Sequence, residues 1–411
     1  MSLKIATQRR IDRILGTLIC RGLSLLPTPG PGSRATDSGQ VRRILVVLLS
    51  EMGSLTLAGP LVQRLREKFP GAAVEVLTFA RNREIIELIG LVPAGHIHTI
   101  RDESLARFAA DSLVFAVQSR RQRPDVVVDC ELFSRISSIY SFFSGAPVRA
   151  GFYRYTQEGL YRGEFINRPV SYNPYLHIAR QFLNLAEAVD ADEQPNTKRL
   201  TGSEDLVMPA VKIAAPEKEK MAGRIASAFP VLDIGRRPLV ILHPGGGLLP
   251  IRAWPVDYYA RVARTLTESG CSVAVTGTPD DRPLADMIVK GCDGKHCADL
   301  TGFTRSVSEL LAVFGCSRLL ITNDGGPGHF AGLVSLPSII LYGPETPVLY
   351  GALNKQAVNL YAGCACSPCL TAYNHRNSPC DGNNFCLRAI APETVLSTAR
   401  SLLGRDKENP E

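Results

Sequence analysis

The sequence predicts an α/β protein made of two doubly wound, Rossmann-like halves. Continuous apolar runs recur at Arg43–Leu49, Val126–Val128, Leu239–Leu242 and Leu319–Ile321; such runs belong to parallel strands covered on both faces. Helical periodicity separates them, so strand and helix alternate in each half. A third observation locates function. Strand ends in the second half run into loops that combine glycine with charged or titratable residues, and open parallel sheets bind ligands at the carboxyl ends of their strands.

In chain order, an N-terminal segment covers residues 1–40. Ile11, Ile14, Leu15, Leu18, Ile19 and Leu25 fall at helical spacing among Arg9, Arg10, Arg13 and Arg21. Two readings stand side by side: an amphipathic helix lying in the plane of an anionic membrane, or a helix packed on the first domain. The segment is too charged for a signal peptide, and 28–33 reads as a linker. The first domain, 41–205, opens with Arg43–Leu49. Ser50-Glu51-Met52-Gly53-Ser54 then turns the chain into a helix through Leu57, Leu61, Leu65 and Phe69. A polar, proline-spotted interdomain segment, 206–236, holds a helix near Pro216–Phe229. The second domain, 237–390, includes a cysteine-rich loop at 364–386, and 391–411 reads as a helix and tail.

The chain has 411 residues, 45% hydrophobic and 21% charged, enough for two cores. Its 46 basic and 39 acidic side chains give a net charge of +7. That excess is modest and lacks the aromatic-interleaved basic blocks of a nucleic-acid binder. No apolar run reaches the length of a transmembrane helix.

The second half carries the chemistry. Leu239–Leu242 leads into His243-Pro244-Gly245-Gly246-Gly247, followed by Arg252-Ala253-Trp254-Pro255. The next strand ends in Thr276-Gly277-Thr278-Pro279-Asp280-Asp281, and Leu319–Ile321 leads to Asp324-Gly325-Gly326-Pro327-Gly328-His329 and a small-residue helix. Glycines let backbone N–H groups approach phosphate oxygens, and a helix N-terminus supplies free donors. Trp254, the one tryptophan, reads as core packing rather than a stacking platform.

The order and spacing of these motifs, with Tyr342-Gly343-Pro344-Glu345-Thr346, resemble those of glycosyltransferase family 9, typified by the ADP-heptose:lipopolysaccharide heptosyltransferases. The resemblance spans Arg43 to about Ala399. It implies a GT-B fold, two Rossmann-like domains facing across a cleft. It also implies an inverting transfer, without a required cofactor, from a nucleotide-diphosphate sugar to a lipopolysaccharide-type or other surface glycan. The place implied is the cytoplasmic face of a bacterial inner membrane. By the resemblance, His243, Gly245 and Gly246 form the donor loop, and Arg252 faces the diphosphate. Asp280 or Asp281 contacts the ribose, and Asp324 contacts the sugar hydroxyls. Gly325, Gly326 and Gly328 offer backbone donors, and His329 lies near the phosphates. Acceptor contacts fall on Arg149, Tyr153 and Arg154, beside Phe152, and on His177, with Asn173.

One position departs from the pattern. The family's first loop reads Ser-x-Gly-Asp, its aspartate the proposed base, whereas this chain has Met52-Gly53-Ser54. A serine without a partner has no useful basicity near neutral pH. Glu131, at the end of the strand Val126–Val128, is the first candidate replacement, and Glu51 is the second; the alternative is that both are solvated surface acids. A degenerate nucleotide-sugar binder and a family member with another donor sugar are the rival functions.

Of the cysteines, Cys20, Cys130, Cys271, Cys292, Cys297 and Cys316 read as small buried hydrophobes. Cys364, Cys366, Cys369, Cys380 and Cys386 crowd together, with His375 among them. This reads as a structural zinc site on Cys366, Cys369, Cys380 and Cys386, or an oxidisable cluster; the alternative is a stabilised loop without metal.

Overall fold

The computed structural model describes residues 5–27, 40–49, 51–132, 134–153, 161–191, 197–202, 205–247, 249–373, 377–378 and 380–405. The chain divides into two compact units, Met1–Pro209 and Ala210–Glu411. In the first, strands β1 (Arg43–Val47), β2 (Ala73–Phe79), β3 (Ile97–Ile100), β4 (Val126–Asp129), β5 (Val148–Tyr153) and β6 (Arg168–Ser171) form a sheet ordered β3-β2-β1-β4-β5-β6. In the second, β7 (Leu239–His243), β8 (Ser272–Val275), β9 (Cys297–Asp299), β10 (Leu319–Asn323), β11 (Ser338–Tyr342) and β12 (Ala357–Tyr361) repeat that order as β9-β8-β7-β10-β11-β12. All pairings are parallel.

The apolar runs explain the strands. β4, β10 and β11 are buried at every position, because helices cover both faces of each sheet. Register then fixes which residues emerge together. Val47 lies opposite Asp129 in the first sheet. Thr322 lies opposite His243 in the second, and Asn323 opposite Leu341. β1/β4 and β7/β10 are the places where strand order reverses, the switch points at which such sheets open a crevice.

Helix Ala215–Ala228, expected in an interdomain segment, packs within the second unit against helix Val307–Gly315. Its Arg224 pairs with Glu309 at 2.7 Å. The helix stands where the sequence placed it, but it belongs to the second unit, Ala210–Glu411, and not to a separate interdomain segment.

The N-terminal helix runs from Ile5 to Leu23 with a π-helical turn at Asp12–Gly16, and one of its faces packs on the first unit. Cys20 is fully buried, and a Cβ at Gly16 would lie 2.7 Å from the Cβ of Arg135. The Asp12 carboxylate accepts from the amides of Arg135, at 3.1 Å, and Ile136, at 2.9 Å, so it caps helix Arg135–Phe143 from outside. The opposite face leaves Ile14, Leu15 and Leu18 more than half exposed, at 55%, 53% and 59%. The packed-helix reading therefore holds on one face, while the other stays apolar and uncovered. No helix among the described residues is long and apolar enough to cross a membrane.

Asp12→Ala removes the cap and should lower the stability of the first unit by about 1 kcal/mol. The urea midpoint measures this. An unchanged midpoint would mean that N-terminal docking does not support helix 135–143.

Candidate active site

The second unit gathers its titratable groups at the carboxyl ends of β7, β8, β10 and β11. Asn323, the last residue of β10 and 1% exposed, organises them. Its carbonyl oxygen accepts from the Trp254 amide at 3.0 Å and the Tyr259 hydroxyl at 3.1 Å. Its amide nitrogen donates to Pro244 O at 2.7 Å and Gly245 O at 3.3 Å. The glycine loop after β7 and the turn before Trp254 are thus tied to one side chain. Trp254 is core, as expected: it is buried, and its indole N–H donates to Leu387 O and Ile390 O.

Arg252 ends a short 3₁₀ turn, Pro250–Arg252. The sequence places it as a fixed cation at the glycine loop, and the structure adds that it is buried and already paired. Arg252 is 8% exposed; its Nε lies 3.6 Å from Asp324 Oδ2, and its Nη2 lies 3.0 Å from Glu345 Oε1. Asp324 and Glu345, which follow β10 and β11, are themselves buried. A guanidinium in this setting must be paired, because an isolated buried charge is very costly. Among the described residues, the Arg252 cation lies between these two carboxylates.

The glycines have distinct reasons. A Cβ at Gly245 or Gly277 would lie 2.5 or 2.7 Å from the carboxylate of Asp281, so both make room for that side chain. Asp281 forms a capping box with Thr278, accepting from its amide at 2.7 Å; Asp280, beside it, is exposed. At Gly328 a Cβ would meet Ile340 at 2.7 Å. That glycine therefore lets the helix Gly326–Leu333 sit close on β11. Gly325 precedes this helix as its N-cap, Gly326 starts it, and His329 lies on its first turn, half-buried. Gly246 faces the carbonyl of Leu249. His243 Nδ1 lies 3.2 Å from the Thr276 hydroxyl. Burial pushes the His243 pKa down to about 4, with Asp281 opposing, so its imidazole is neutral near pH 7.

In the first unit, both candidate bases stand at neighbouring strand ends. Glu131 is 8% exposed; its Oε1 accepts from the Leu49 amide at 2.6 Å, which ties the end of β4 to that of β1. It is no solvated surface acid. Below it, Arg162 is fully buried and paired with the equally buried Asp129. Arg162 also donates to the carbonyls of Glu131 at 3.1 Å, Phe152 at 2.8 Å and Ser134 at 3.1 Å. Burial raises the pKa of Asp129, with Arg162 opposing. Glu51 is half-buried at the N-cap of helix Met52–Leu57, which carries Ser54.

The acceptor expectations fare unevenly. Arg149 is 5% exposed, stacks over the Phe142 ring and donates to Phe165 O at 3.2 Å. Burial lowers its pKa to about 10. It is a core arginine of β5, which its burial shows and the sequence did not. Tyr153 ends β5, half-buried. His177 caps helix Ile178–Ala188, its Nδ1 accepting from the Ala179 amide at 3.2 Å, and Asn173 Oδ1 accepts from the Tyr175 amide. Arg154 lies outside the described residues.

The cysteine-rich loop does not match the zinc expectation. Among the described residues no three His, Cys, Asp or Glu side chains are arranged to hold a metal ion. Cys386 lies within electrostatic reach of Cys364, Cys369 and Cys366, but these thiols and Cys380 do not form a ligand set. Cys386 sits in the core, where burial pushes its thiol up to about 11. Cys380 is exposed and turned to Asp381 and Asn384. Cys369 accepts from the Ser378 hydroxyl at 3.1 Å, and Cys366 is exposed. His375 lies outside the described residues.

Sequence reasoning assigned no role to Asn323, Glu345 or Arg162. For the first two a signal existed. Asn323 is a polar residue closing an apolar strand beside Asp324, and Glu345 is a carboxylate in the loop that follows the apolar run Ser338–Tyr342. Arg162 had none, since nothing in its local sequence announces a long-range pair.

Two Rossmann-ordered sheets, the second ending in a glycine loop and a glycine-led helix start, are the frame of a glycosyltransferase of the GT-B fold. Residues 120–378 match Glycosyltransferase family 9 (heptosyltransferase), and the chain belongs to that family. It is similar to lipopolysaccharide heptosyltransferase 2 of Salmonella typhimurium, with 24% identity over 373 residues, 89% of this chain and 99% of the relative. Among solved structures, E. coli ADP-heptose lps heptosyltransferase II aligns over 89% of this chain and 99% of its own, at TM-score 0.67 and 20% identity. A glycosyl transferase family 9 protein of Veillonella parvula aligns over 90% and 99%, at TM-score 0.66 and 20% identity.

The neutral His243 gives a pH test. Its pKa falls from 6.5 in the unfolded chain to about 4 in the fold. Its contribution is therefore complete above pH 6.5 and lost as pH drops toward 4. The wild type should lose about 3 kcal/mol more than His243→Asn over that window. Parallel pH dependences for wild type and His243→Asn would refute the neutral state of His243.

Proposed function

We propose that this glycosyltransferase moves a heptose from an ADP-linked donor to a lipopolysaccharide-type acceptor, with inversion at the anomeric carbon. The observation that carries this reading is the motif set at the second unit's strand ends, in a chain that spans almost all of a heptosyltransferase 2. The acceptor hydroxyl oxygen attacks the anomeric carbon as its bond to the phosphate oxygen breaks. The nucleoside diphosphate leaves with the electron pair, and a base takes the hydroxyl proton. Backbone N–H groups at Gly325 and Gly326, the helix start and Arg252 stabilise the leaving charge. Asp324 holds the sugar hydroxyls, Asp280 the ribose, and His243 and His329 flank the phosphates.

Glu131 is the proposed base, ahead of Glu51. The burial of Glu131, with one carboxylate oxygen fixed by Leu49, supports a positioned group whose second oxygen takes the proton. The absence of the family's aspartate at Ser54 supports one rival, a chain that binds nucleotide sugar without turning it over. Acceptor contacts are assigned to Tyr153, Arg154 and His177. The enzyme works at the cytoplasmic face of a bacterial inner membrane, and the exposed apolar side of its N-terminal helix, edged by Arg10, Arg13 and Arg21, rests on anionic lipid.

Mass-spectrometric assay against a panel of nucleotide sugars, with a heptose-accepting lipopolysaccharide core, tests the assignment. ADP-heptose should be consumed, and a protein that binds it without turnover would favour the rival. Glu131→Gln should abolish transfer with donor affinity within a few-fold, roughly, since only basicity is removed. If Glu51→Gln is the inactive variant, the base lies in the first loop.

Arg252→Lys keeps a charge but loses the planar fork, and should cost on the order of a hundredfold in turnover. Wild-type turnover would remove Arg252 from the leaving-group role. Glu345→Gln frees Arg252 from one carboxylate and should tighten ADP binding by about threefold or more. Unchanged ADP affinity by calorimetry would show that Glu345 does not compete with the nucleotide.

A further inference from the structure

The helix Leu105–Gln122 follows β3, and its inner face is anchored. Phe115 and Ser119 are buried, Phe115 packs edge-on against Tyr140 at 5.5 Å, and the Ser112 and Tyr140 hydroxyls bond at 2.6 Å. Its outer face is apolar where a surface helix should be polar. Leu105 is 71% exposed, Leu113 67%, Val114 52% and Val117 45%, and Ala106, Ala109 and Ala110 are exposed between them. These positions recur every three or four residues and make one stripe along the helix. Contiguous exposed apolar surface of this kind marks a site of interaction.

Charge distinguishes the partners. Near the start of the helix, charges cancel locally: Arg101 pairs with Asp111 at 2.7 Å, and Arg107 pairs with Glu103. At its end, Arg120, Arg121 and Arg123 form no ion pair with a carboxylate among the described residues. A stripe that runs into unpaired cations suits a surface presenting apolar chains beneath anionic groups. A second copy of this chain would bring the same unpaired arginines. The N-terminal helix repeats the design, and both helices lie against the same element, helix Arg135–Phe143: Asp12 caps its start and Ser112 bonds its Tyr140.

We infer that helix 105–122 is a second lipid-binding element of the first unit, which joins the N-terminal helix in holding the protein on an anionic bilayer. This rests on the peripheral-membrane reading above and extends it to a helix within the glycosyltransferase domain itself. Leu113, Val114 and Val117 enter the acyl boundary, while Arg120, Arg121 and Arg123 meet lipid phosphates.

Co-sedimentation of the full chain with vesicles tests it, using phosphatidylcholine alone and phosphatidylcholine with phosphatidylglycerol. The variants are Leu113→Asn with Val117→Asn, Arg120→Gln with Arg121→Gln and Arg123→Gln, and Leu15→Asn with Leu18→Asn. The wild type should bind only the anionic vesicles. Each set of substitutions should weaken binding by about tenfold, since burying apolar side chains and attracting basic ones both contribute. Unfolding temperature should stay unchanged, because the altered side chains are exposed, and added salt should weaken binding further. If the wild type binds and only the Leu15/Leu18 variant loses binding, helix 105–122 is no lipid element. If the wild type binds neither vesicle, the peripheral-membrane reading itself fails. A dimer in solution that the Leu113/Val117 pair dissolves, without vesicle binding, would assign the stripe to a second copy instead.

Discussion

The carboxamide of Asn323 holds the second unit's site in place. It sits at the end of a central strand, out of water, and makes bonds to the glycine loop after β7 and to the Trp254 and Tyr259 segment. A buried amide left without these partners would cost on the order of 1–3 kcal/mol for each unmet group. Loop and strand therefore have one low-energy arrangement. Asp324 is the next residue in the chain, and Arg252 lies just before the amide that Asn323 accepts, so the same group fixes both ends of their ion pair. The indole of Trp254 carries this order on to the carbonyls of Leu387 and Ile390.

Each unit places a buried arginine at its switch point, and the two are used differently. Arg162 is fully enclosed and donates to backbone carbonyls from separate stretches, besides its pair with Asp129. Its acceptors are parts of the fold, and no incoming anion could replace them without unravelling the loop that carries Glu131. Arg252 is held by the side chains of Asp324 and Glu345. Side-chain carboxylates can be exchanged for another anion with little backbone movement. The first arginine is a staple, and the second is a cation with replaceable partners.

The architecture was legible because parallel strands leave a plain mark. Val126–Val128 and Leu319–Ile321 are apolar without alternation, and they became strands buried on both faces. The loops were legible too, since glycines beside strand ends serve close approach. What a glycine admits was not: Gly245 admits the Asp281 carboxylate and Gly328 admits Ile340. Burial of charge was the main blind spot. By the resemblance Arg149 meets an acceptor and Arg252 a diphosphate, yet Phe142 and Phe165 cover one, and Asp324 and Glu345 lie against the other. Such pairings depend on register between distant strands, and local sequence does not carry it. The thiols show the same limit: Cys364, Cys366 and Cys369 lie within electrostatic reach of Cys386, while Cys380 turns to Asp381 and Asn384.

Two positions bear on carboxylate chemistry: the family's aspartate is missing at Ser54, and Glu345 stands beside Arg252. They do not compensate for one another. A general base must take up a proton as the acceptor oxygen bonds to carbon, whereas Glu345 lies 3.0 Å from the Arg252 guanidinium, beside the group proposed to meet the leaving diphosphate. Glu345 therefore acts on the leaving side of the proposed reaction. A diphosphate that arrives beside Arg252 meets a cation already outnumbered by carboxylates, so much of the initial attraction falls to the backbone N–H groups at the start of helix Gly326–Leu333. As the bond to the anomeric carbon breaks, negative charge grows on the phosphate oxygens, and the phosphate becomes the stronger competitor for the guanidinium. An arginine with exchangeable partners then engages the transition state more than the ground state, and an interaction of that kind raises turnover rather than affinity.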